Sequence, residues 1–353
     1  MRIAQMAPLV ETVPPLLYGG TERVVSYLTE TLVTLGHDVT LFAAGGSRTA
    51  AELVPVVPSA FRLNPRSRDP VAAHVQMVQM VLDRADDFDV IHAHLDHCHL
   101  PAFAAARLPH VTTPHGRLDL PDLAALLRLF PGAPLVSISE AQRRLLGSGN
   151  FVGTVHHGLP PWFYPASLRH RGYLAFLGRI CPEKGLDAAI RIADAAGMPL
   201  KIAAKIDHLD QAYYDEVIRP LLRTPSVRFL GEIGQQQLGG FLGGAAALLF
   251  PIDWPEPFGL VMIEAMACGT PVVAFNRGSV PEVIEDGVTG FIVEDVQGAV
   301  GALHRIDSLS RTAIRERFDT RFSSKAMAQR YVETYESLCT GARQPALRRV
   351  AGA

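Results

Sequence analysis

Apolar runs of strand length alternate with runs of helical spacing along the whole chain, and the alternation breaks off only once. "MRIAQMAP" is a short apolar run closed by Pro8 and predicts a strand. "TERVVSYLTETLVTLGH" carries apolar residues at helical spacing and a Gly-His stop, and "DVTLFAAG" predicts the next strand. Helix-patterned "DPVAAHVQMVQMVLDRADDF" and "LPAFAAARL" then alternate with strand-like "DVIHAH", "HVTTPHG" and "PLVSIS". Such an order implies a parallel sheet between helices, because parallel strands need a crossover between them.

The break comes at residues 153–165, "GTVHHGLPPWFYP", where three prolines and three aromatic residues cluster. Alternation then restarts with "GYLAFLG" and runs through "LDAAIRIADAAG", "PLKIAAKI", "QAYYDEVIRPLLR", "VRFLG", "QQQLGGFLGGA", "AALLFPI", "FGLVMIEAMACG", "PVVAFN", "SVPEVIEDG" and "TGFIV". The pattern predicts two α/β domains, residues 1–157 and 158–324, followed by a helix at about 325–345 and a basic, solvated tail. The length of 353 residues suits two cores better than one.

A formal net charge of −2 argues against a nucleic-acid protein held by bulk charge and leaves room only for a local basic patch. Cys98, Cys181, Cys268 and Cys339 are far apart and form no C-x-x-C, which reads as reduced thiols in a cytoplasmic protein. "MRIAQMAPLVETVPP" lacks the apolar length of a signal peptide, and no run approaches the ~20 apolar residues of a spanning helix. Membrane contact is therefore expected to be peripheral at most.

The stretch "PEPFGLVMIEAMACGTPVV", residues 255–273, places Glu256 before a helix start and Glu264 inside an otherwise apolar helix. A buried carboxylate needs a partner. The helix begins near Phe258 or Gly259, stops at Gly269 and has Pro271 beyond it. In a doubly wound sheet such a loop lies at the carboxyl end of a strand, where ligands bind. An uncapped helix start suits a phosphate, and carboxylates suit hydroxyls. A nucleotide sugar would satisfy both glutamates: sugar, diphosphate at the helix tip, ribose. The stretch is equally compatible with Glu264 paired to an arginine and Glu256 capping the helix.

Two further stretches bear on that choice. "FLGRICPEKGLDAAI" puts Arg179 and Lys184 in the loop after the second domain's first strand, and fixed cations are what a departing diphosphate requires. Pro-Glu-Lys-Gly is also ordinary turn chemistry, but lysine is scarce here, at positions 184, 201, 205 and 325 only. In "PLLYGGTERVV", Gly19 and Gly20 open the first helix and let backbone approach a ligand closely.

At this point the C-terminal half resembles the family 4 retaining glycosyltransferases. The family pattern E-x-F-G-x-x-x-x-E-A-M-A-x-G-x-P-V is met by "EPFGLVMIEAMACGTPVV", and G-R-x-x-x-x-K-G by "GRICPEKG". "EVIEDGVTGFIV" matches the close of the domain; "YGGTERVVSYLTETLVTLGHDVTLF", "DVIHAHLD", "TPHGRLD" and "LVSISEAQRR" follow in the expected order in the N-terminal half. The resemblance implies the GT-B fold, two Rossmann-like doubly wound parallel-sheet domains facing across a cleft. The N-terminal domain would take the acceptor, the C-terminal domain the donor, and the last helix would return to the first domain.

Carried over by position, the resemblance assigns Glu256 to the donor sugar hydroxyls, with the backbone of Phe258 and Gly259 beside it. The backbone of Leu260 and Val261 would meet the diphosphate, and Glu264 the ribose. Arg179 and Lys184 would neutralise the leaving group, Gly19 and Gly20 would close over the phosphates, and His115 would face the sugar and β-phosphate. "VHHGLP" departs from the asparagine-glycine-aspartate common at the family hinge. The implied reaction moves a hexose-type sugar from a nucleotide-diphosphate sugar to an acceptor (sugar, lipid-linked sugar or small metabolite) with retention. It would need no metal and no cofactor.

Other patterns are weaker. "HAHLDHCH" packs His92, His94, His97, Cys98 and His99 together, but the family pattern D-x-I-H-x-H accounts for the first two without a metal. Asp87-x-Asp89 reads as a helix-to-strand turn, and Ser137 and Ser139 as loop hydroxyls near the cleft. "GSGNFVG", from Gly147, precedes a strand where a dinucleotide fingerprint should follow one. "PDLAALLRLF", residues 121–130, reads as core packing in preference to a membrane surface. A phosphorylase, an epimerase of the same fold and a non-catalytic nucleotide-sugar sensor are the alternatives; donor hydrolysis separates the last from the rest. A dehydrogenase is the least supported, for want of its fingerprint.

Overall fold

The computed structural model describes residues 1–16, 19–64, 69–147 and 149–342. The chain divides into two units. The first comprises residues 1–137, 147–155 and the chain from Ala328; the second comprises 138–146 and 156–327.

In the first unit seven strands form a parallel sheet: β1 (Arg2–Met6), β2 (Asp38–Ala44), β3 (Glu52–Val57), β4 (Val90–Ala93), β5 (His110–Thr112), β6 (Leu135–Ser137) and β7 (Phe151–Thr154). Their order is β3-β2-β1-β4-β5-β6-β7. Residues 3–6 of β1 are buried, as a strand covered on both faces requires. β1 pairs with β2 on one side and β4 on the other, Ile3 opposite Val39 and Val90. Helices Gly20–Thr34, Pro70–Leu82, Leu100–Ala106 and Pro121–Leu127 connect the strands. The Pro70–Leu82 helix starts with proline, whose missing N–H costs nothing there, and the Asp69 carboxylate accepts from Ala72 N–H. Met6, Phe42, Met77, Phe88, Ile91 and Phe103 pack in the core. The last helix, Ser324–Ala342, contributes fully buried Tyr331 and Tyr335 to this unit.

The second unit has six parallel strands: β8 (Tyr173–Ile180), β9 (Leu200–Ile206), β10 (Val227–Phe229), β11 (Ala245–Phe250), β12 (Val272–Phe275) and β13 (Gly290–Val293). Their order is β10-β9-β8-β11-β12-β13, the doubly wound order counted from β8. Every residue of central β11 is buried. Leu174, Phe176, Ile190, Ile202, Leu249 and Phe291 belong to the core. The order reverses between β1 and β4 in the first unit and between β8 and β11 in the second, and crevices for ligands open at the carboxyl ends of such strands.

Several elements lie outside the sequence expectation. β3 contains Pro55 and sits at the sheet edge, a place where a strand tolerates proline. Helix Val296–Leu303 includes two glycines and is started by the Asp295 side chain. Helix Arg311–Arg321 buries only Ile314 and Phe318, too narrow a stripe to announce itself. Helix Glu140–Leu146 is also new, and it belongs to the second unit. Residues 121–130 are not core: Leu127 alone of them is buried, and Leu129 stands 73% exposed. Of the expected tail, residues 342–353, Ala342 ends the last helix and 343–353 lie outside the described residues. Among the described residues no helix is long and apolar enough to cross a membrane.

Candidate active site

β8 and β11 deliver two loops to the same edge of the second unit's sheet. Arg179 is the last residue but one of β8, and the turn Pro182–Lys184 follows; after β11 come residues 251–259. The backbone N–H of Asp253 donates to Glu183 O at 2.9 Å and joins the loops. Gly185 has φ +67°, and a Cβ there would stand 2.1 Å from Pro251 O. Only glycine lets the two segments meet.

The glutamate loop is pinned carbonyl by carbonyl. Ser279 N–H donates to Glu256 O at 3.0 Å, Ser139 Oγ to Pro257 O at 2.6 Å and Ser279 Oγ to Phe258 O at 2.9 Å. Gly278, at φ +55°, lies so close that a Cβ would come within 2.4 Å of Glu256 N and O. A side chain held this way loses little entropy on meeting a ligand.

Glu256 is 8% exposed, and one of its oxygens takes two donors. Lys184 Nζ reaches Oε2 at 2.5 Å and the Trp254 indole N–H donates to the same atom at 2.9 Å. The Lys184 ammonium also stands over the Trp254 ring, 5.1 Å from its centroid. Arg179 pairs with Glu183 at 2.9 Å and Asp210 at 3.5 Å. Burial opposes its charge, but Cys181, Asp210 and Glu183 more than offset that, so the guanidinium holds its proton more tightly than usual. Thus Lys184 occupies the expected loop, whereas Arg179, expected there too, still belongs to β8, whose ladder runs on to Ile180; each is already on a carboxylate.

The helix that follows runs Leu260–Ala267, with Gly259 before it and no capping side chain. Glu256 therefore does not cap it, and its first N–H groups carry the positive end of the helix dipole. At its other end Arg315 Nη1 donates to Ala267 O at 2.6 Å and Tyr164 O at 2.7 Å. Phe258 is buried against His157, ring centroids 4.9 Å apart. Glu264 is 1% exposed, and its Oε1 accepts from the Tyr164 hydroxyl at 3.0 Å. Trp254 and Tyr164 were not among the expected site residues. The only local signal for Trp254 is its rarity, two tryptophans in the chain, beside a motif glutamate.

In the first unit Gly19 precedes helix Gly20–Thr34, and a Cβ on Gly19 would meet Pro15 at 2.9 Å. Near this start, Glu22 accepts from Glu11 N–H at 3.2 Å, and burial raises its pKa. His115 follows β5. Its Nε2 lies 2.9 Å from His94 Nδ1, and His94 Nε2 lies 2.7 Å from Gln5 Oε1. Gln5 Nε2 donates to Tyr335 OH at 3.2 Å, which lies 2.7 Å from His92 Nδ1. His92 Nε2 lies 2.8 Å from Thr113 Oγ1.

The histidine-rich run is thereby divided. His92 and His94 serve this buried chain, His99 Nε2 meets Thr112 Oγ1 at 2.7 Å, and His97 and Cys98 are exposed. Among the described residues no cluster of three or more His, Cys, Asp or Glu could hold a metal ion. Asp87 accepts from Arg84 Nε at 2.9 Å, and Asp89 from Arg2, as helix-to-strand turn residues do. Ser137 bonds Thr154 inside the first unit. The glycines at 147 and 149 lead into β7, and Ser148 between them lies outside the described residues.

Comparison with known proteins agrees with this geometry. Residues 167–320 match the family model for glycosyl transferases group 1, and residues 18–147 match that for glycosyltransferase family 4. The glycogen synthase of Mycobacterium tuberculosis is 26% identical over 94% of this chain and 94% of its own. The alpha-maltose-1-phosphate synthase of the same organism is 24% identical over 95% of this chain and all of its own. Among solved structures, AviGT4, a glycosyltransferase of avilamycin A biosynthesis, superposes with a TM-score of 0.76 at 25% identity over 96% and 98% of the chains. Sucrose-phosphate synthase of Thermosynechococcus elongatus shares the fold at a TM-score of 0.78 and 18% identity, over 96% of this chain and 99% of its own.

Proposed function

Since the chain belongs to the family 4 glycosyltransferases of GT-B fold, we propose that it moves a hexose-type sugar from a nucleotide-diphosphate sugar to an acceptor hydroxyl, with retention and without a metal. The observation that supports this most is Glu256, anchored by Lys184 and Trp254 beside an uncapped helix start. A carboxylate can hold sugar hydroxyls, the helix start can seat two linked phosphates, and a nearby ammonium can take up the charge that develops on them.

In this reading Glu256 grips the donor sugar, the backbone of Phe258, Gly259, Leu260 and Val261 meets sugar and diphosphate, and Glu264 binds the ribose. Lys184 and Arg179 stabilise the leaving diphosphate. The same proposal gives Gly19 and Gly20 to the phosphates and His115 to the sugar and β-phosphate. The leaving phosphate would accept the acceptor's proton on the face it departs from. Catalysis then rests on positioning and leaving-group stabilisation.

The test is a thermal-shift screen of nucleosides, nucleoside diphosphates and nucleotide sugars, followed by donor hydrolysis with the best ligand. Tight ligands raise the melting temperature. Stabilisation by nucleoside diphosphates over nucleosides, with slow hydrolysis of one nucleotide sugar, is expected. Tight binding without turnover of any nucleotide sugar would point to a sensor, and release of sugar 1-phosphate with added phosphate to a phosphorylase.

A further inference from the structure

We propose that the side-chain amide of Gln5 fixes which ring nitrogen of His115 carries the proton, making Gln5 a positioning residue for that histidine. The catalytic consequence rests on the donor-facing role given to His115 above; the proton arrangement rests on the geometry alone.

An amide oxygen only accepts and an amide nitrogen only donates. Gln5 Oε1 stands 2.7 Å from His94 Nε2, so that nitrogen must carry a hydrogen. A neutral imidazole has one N–H, so His94 Nδ1 accepts. His115 Nε2, 2.9 Å away, must then be the donor, and His115 Nδ1 keeps the lone pair. On the other side Gln5 Nε2 donates to the Tyr335 oxygen at 3.2 Å. The Tyr335 hydrogen goes to His92 Nδ1 at 2.7 Å, and His92 Nε2–H donates to Thr113 at 2.8 Å. Thr113 then donates to the Tyr331 oxygen at 3.1 Å.

Turning the amide over would reverse every proton in the chain and move the His115 hydrogen to Nδ1. The distances choose between the two. The contact of 2.7 Å suits N–H···O and is short for N–H···N, while 3.2 Å suits an amide nitrogen against a hydroxyl. Gln5, His92, Thr113 and Tyr335 are fully buried and His94 is 3% exposed, so solvent does not offer substitute partners. None of the partners named in this chain is a carboxylate. Burial pushes His115 down to about 3 and both tyrosines up, so the imidazole and the phenols keep their neutral forms near pH 7. What varies at His115 is therefore which nitrogen donates: with its Nε2 hydrogen given to His94, Nδ1 is left to accept, which suits a sugar hydroxyl.

The test is long-range proton–nitrogen correlation NMR on the whole protein labelled at histidine nitrogens, at pH 7.5. His92, His94 and His115 are all expected as Nε2–H tautomers; a His115 hydrogen on Nδ1 overturns the proposal. Gln5→Met should leave His115 a mixture and cut kcat for nucleotide-sugar hydrolysis about tenfold, with KM within about twofold, the size of one lost hydrogen bond. An unchanged His115 tautomer in that variant also overturns it. Should Gln5→Met not fold, Tyr335→Phe removes the donor to His92 and leaves the His94–Gln5 bond. His92 should then keep its Nε2 hydrogen, because a hydrogen on Nδ1 would have no acceptor, and His115 should keep its own; a change at His115 with Gln5 in place would show that Gln5 does not fix it. If the tautomers behave as expected and kcat does not move, the donor-facing role of His115 fails and the proton arrangement stands.

Discussion

Lys184 and Trp254 share one oxygen of Glu256, the ammonium at 2.5 Å and the indole nitrogen at 2.9 Å. The carboxylate is thus aligned before any ligand arrives, and among the described residues no hydrogen bond occupies its other oxygen. Lys184→Ala should cut nucleotide-sugar hydrolysis at least ~100-fold, in the range of losing one transition-state donor. Donor affinity should change less than tenfold. Steady-state hydrolysis and titration calorimetry check this; a larger loss in affinity than in turnover would assign Lys184 to ground-state binding.

Trp254→Phe keeps an aromatic face under the Lys184 ammonium and deletes the N–H. One hydrogen bond to a charged acceptor is worth about 1.5–3 kcal/mol, so kcat/KM should fall at least tenfold. Trp254→Ala should fall further, because the face goes too. Equal values for the two variants would mean that the ring matters and the indole nitrogen does not.

The Tyr164 hydroxyl, itself fully buried, donates to a Glu264 carboxylate that is 1% exposed. Tyr164→Phe should lower stability in urea by about 1–3 kcal/mol, the cost of a buried group left short of a partner. It should also weaken nucleoside diphosphate binding severalfold. Glu264→Ala should weaken it more. A stability loss with binding untouched would confine the pair to the core.

Gly278→Ala places a methyl within 2.4 Å of the Glu256 backbone and asks alanine for φ +55°. The loop must shift. Nucleotide-sugar hydrolysis should fall at least tenfold, as small displacements of positioned groups cost that much or more. Gly287, at φ +71° with open space where a Cβ would stand, is a control for backbone strain alone, and Gly287→Ala should keep activity.

His92 and His99 are buried and neutral; burial holds His92 well below the ordinary range and His99 at about 3. Their folded pKa is below the unfolded value, so below about pH 6.5 the unfolded chain binds more protons and stability falls with pH. Each such histidine removes about 1.4 kcal/mol per pH unit until its folded pKa is reached. The melting temperature should therefore drop on going from pH 7 to pH 5, and drop less in His99→Phe. Higher stability at pH 5 than at pH 7 would contradict this.

Much of the architecture could be read from residue patterns because it depends on neighbours in sequence. Strand, turn and helix around Glu256 follow one another within 255–273, so spacing alone places Glu264 on the helix and Gly259 at its start. Trp254 and Tyr164 escape that reading because an aromatic residue in a proline-rich loop has no period to reveal its partner. The Gln5–His92–Tyr335 contacts escape it because the partners come from β1, β4 and the last helix. β3 is hidden by Pro55, and the Arg311–Arg321 helix by its two-residue apolar stripe. Residues 121–130 show the converse error: an apolar run whose side chains are mostly left outside the core.

The first unit is closed by residues near the end of the chain, since Tyr331 and Tyr335 complete the interior around β1 and β4. During synthesis the amino-terminal sheet must wait for almost the entire polypeptide to leave the ribosome. The run 156–327 has most of its own unit in hand well before that. A nascent chain arrested near residue 320 should accordingly present an unfinished, protease-sensitive front half behind a more resistant rear one.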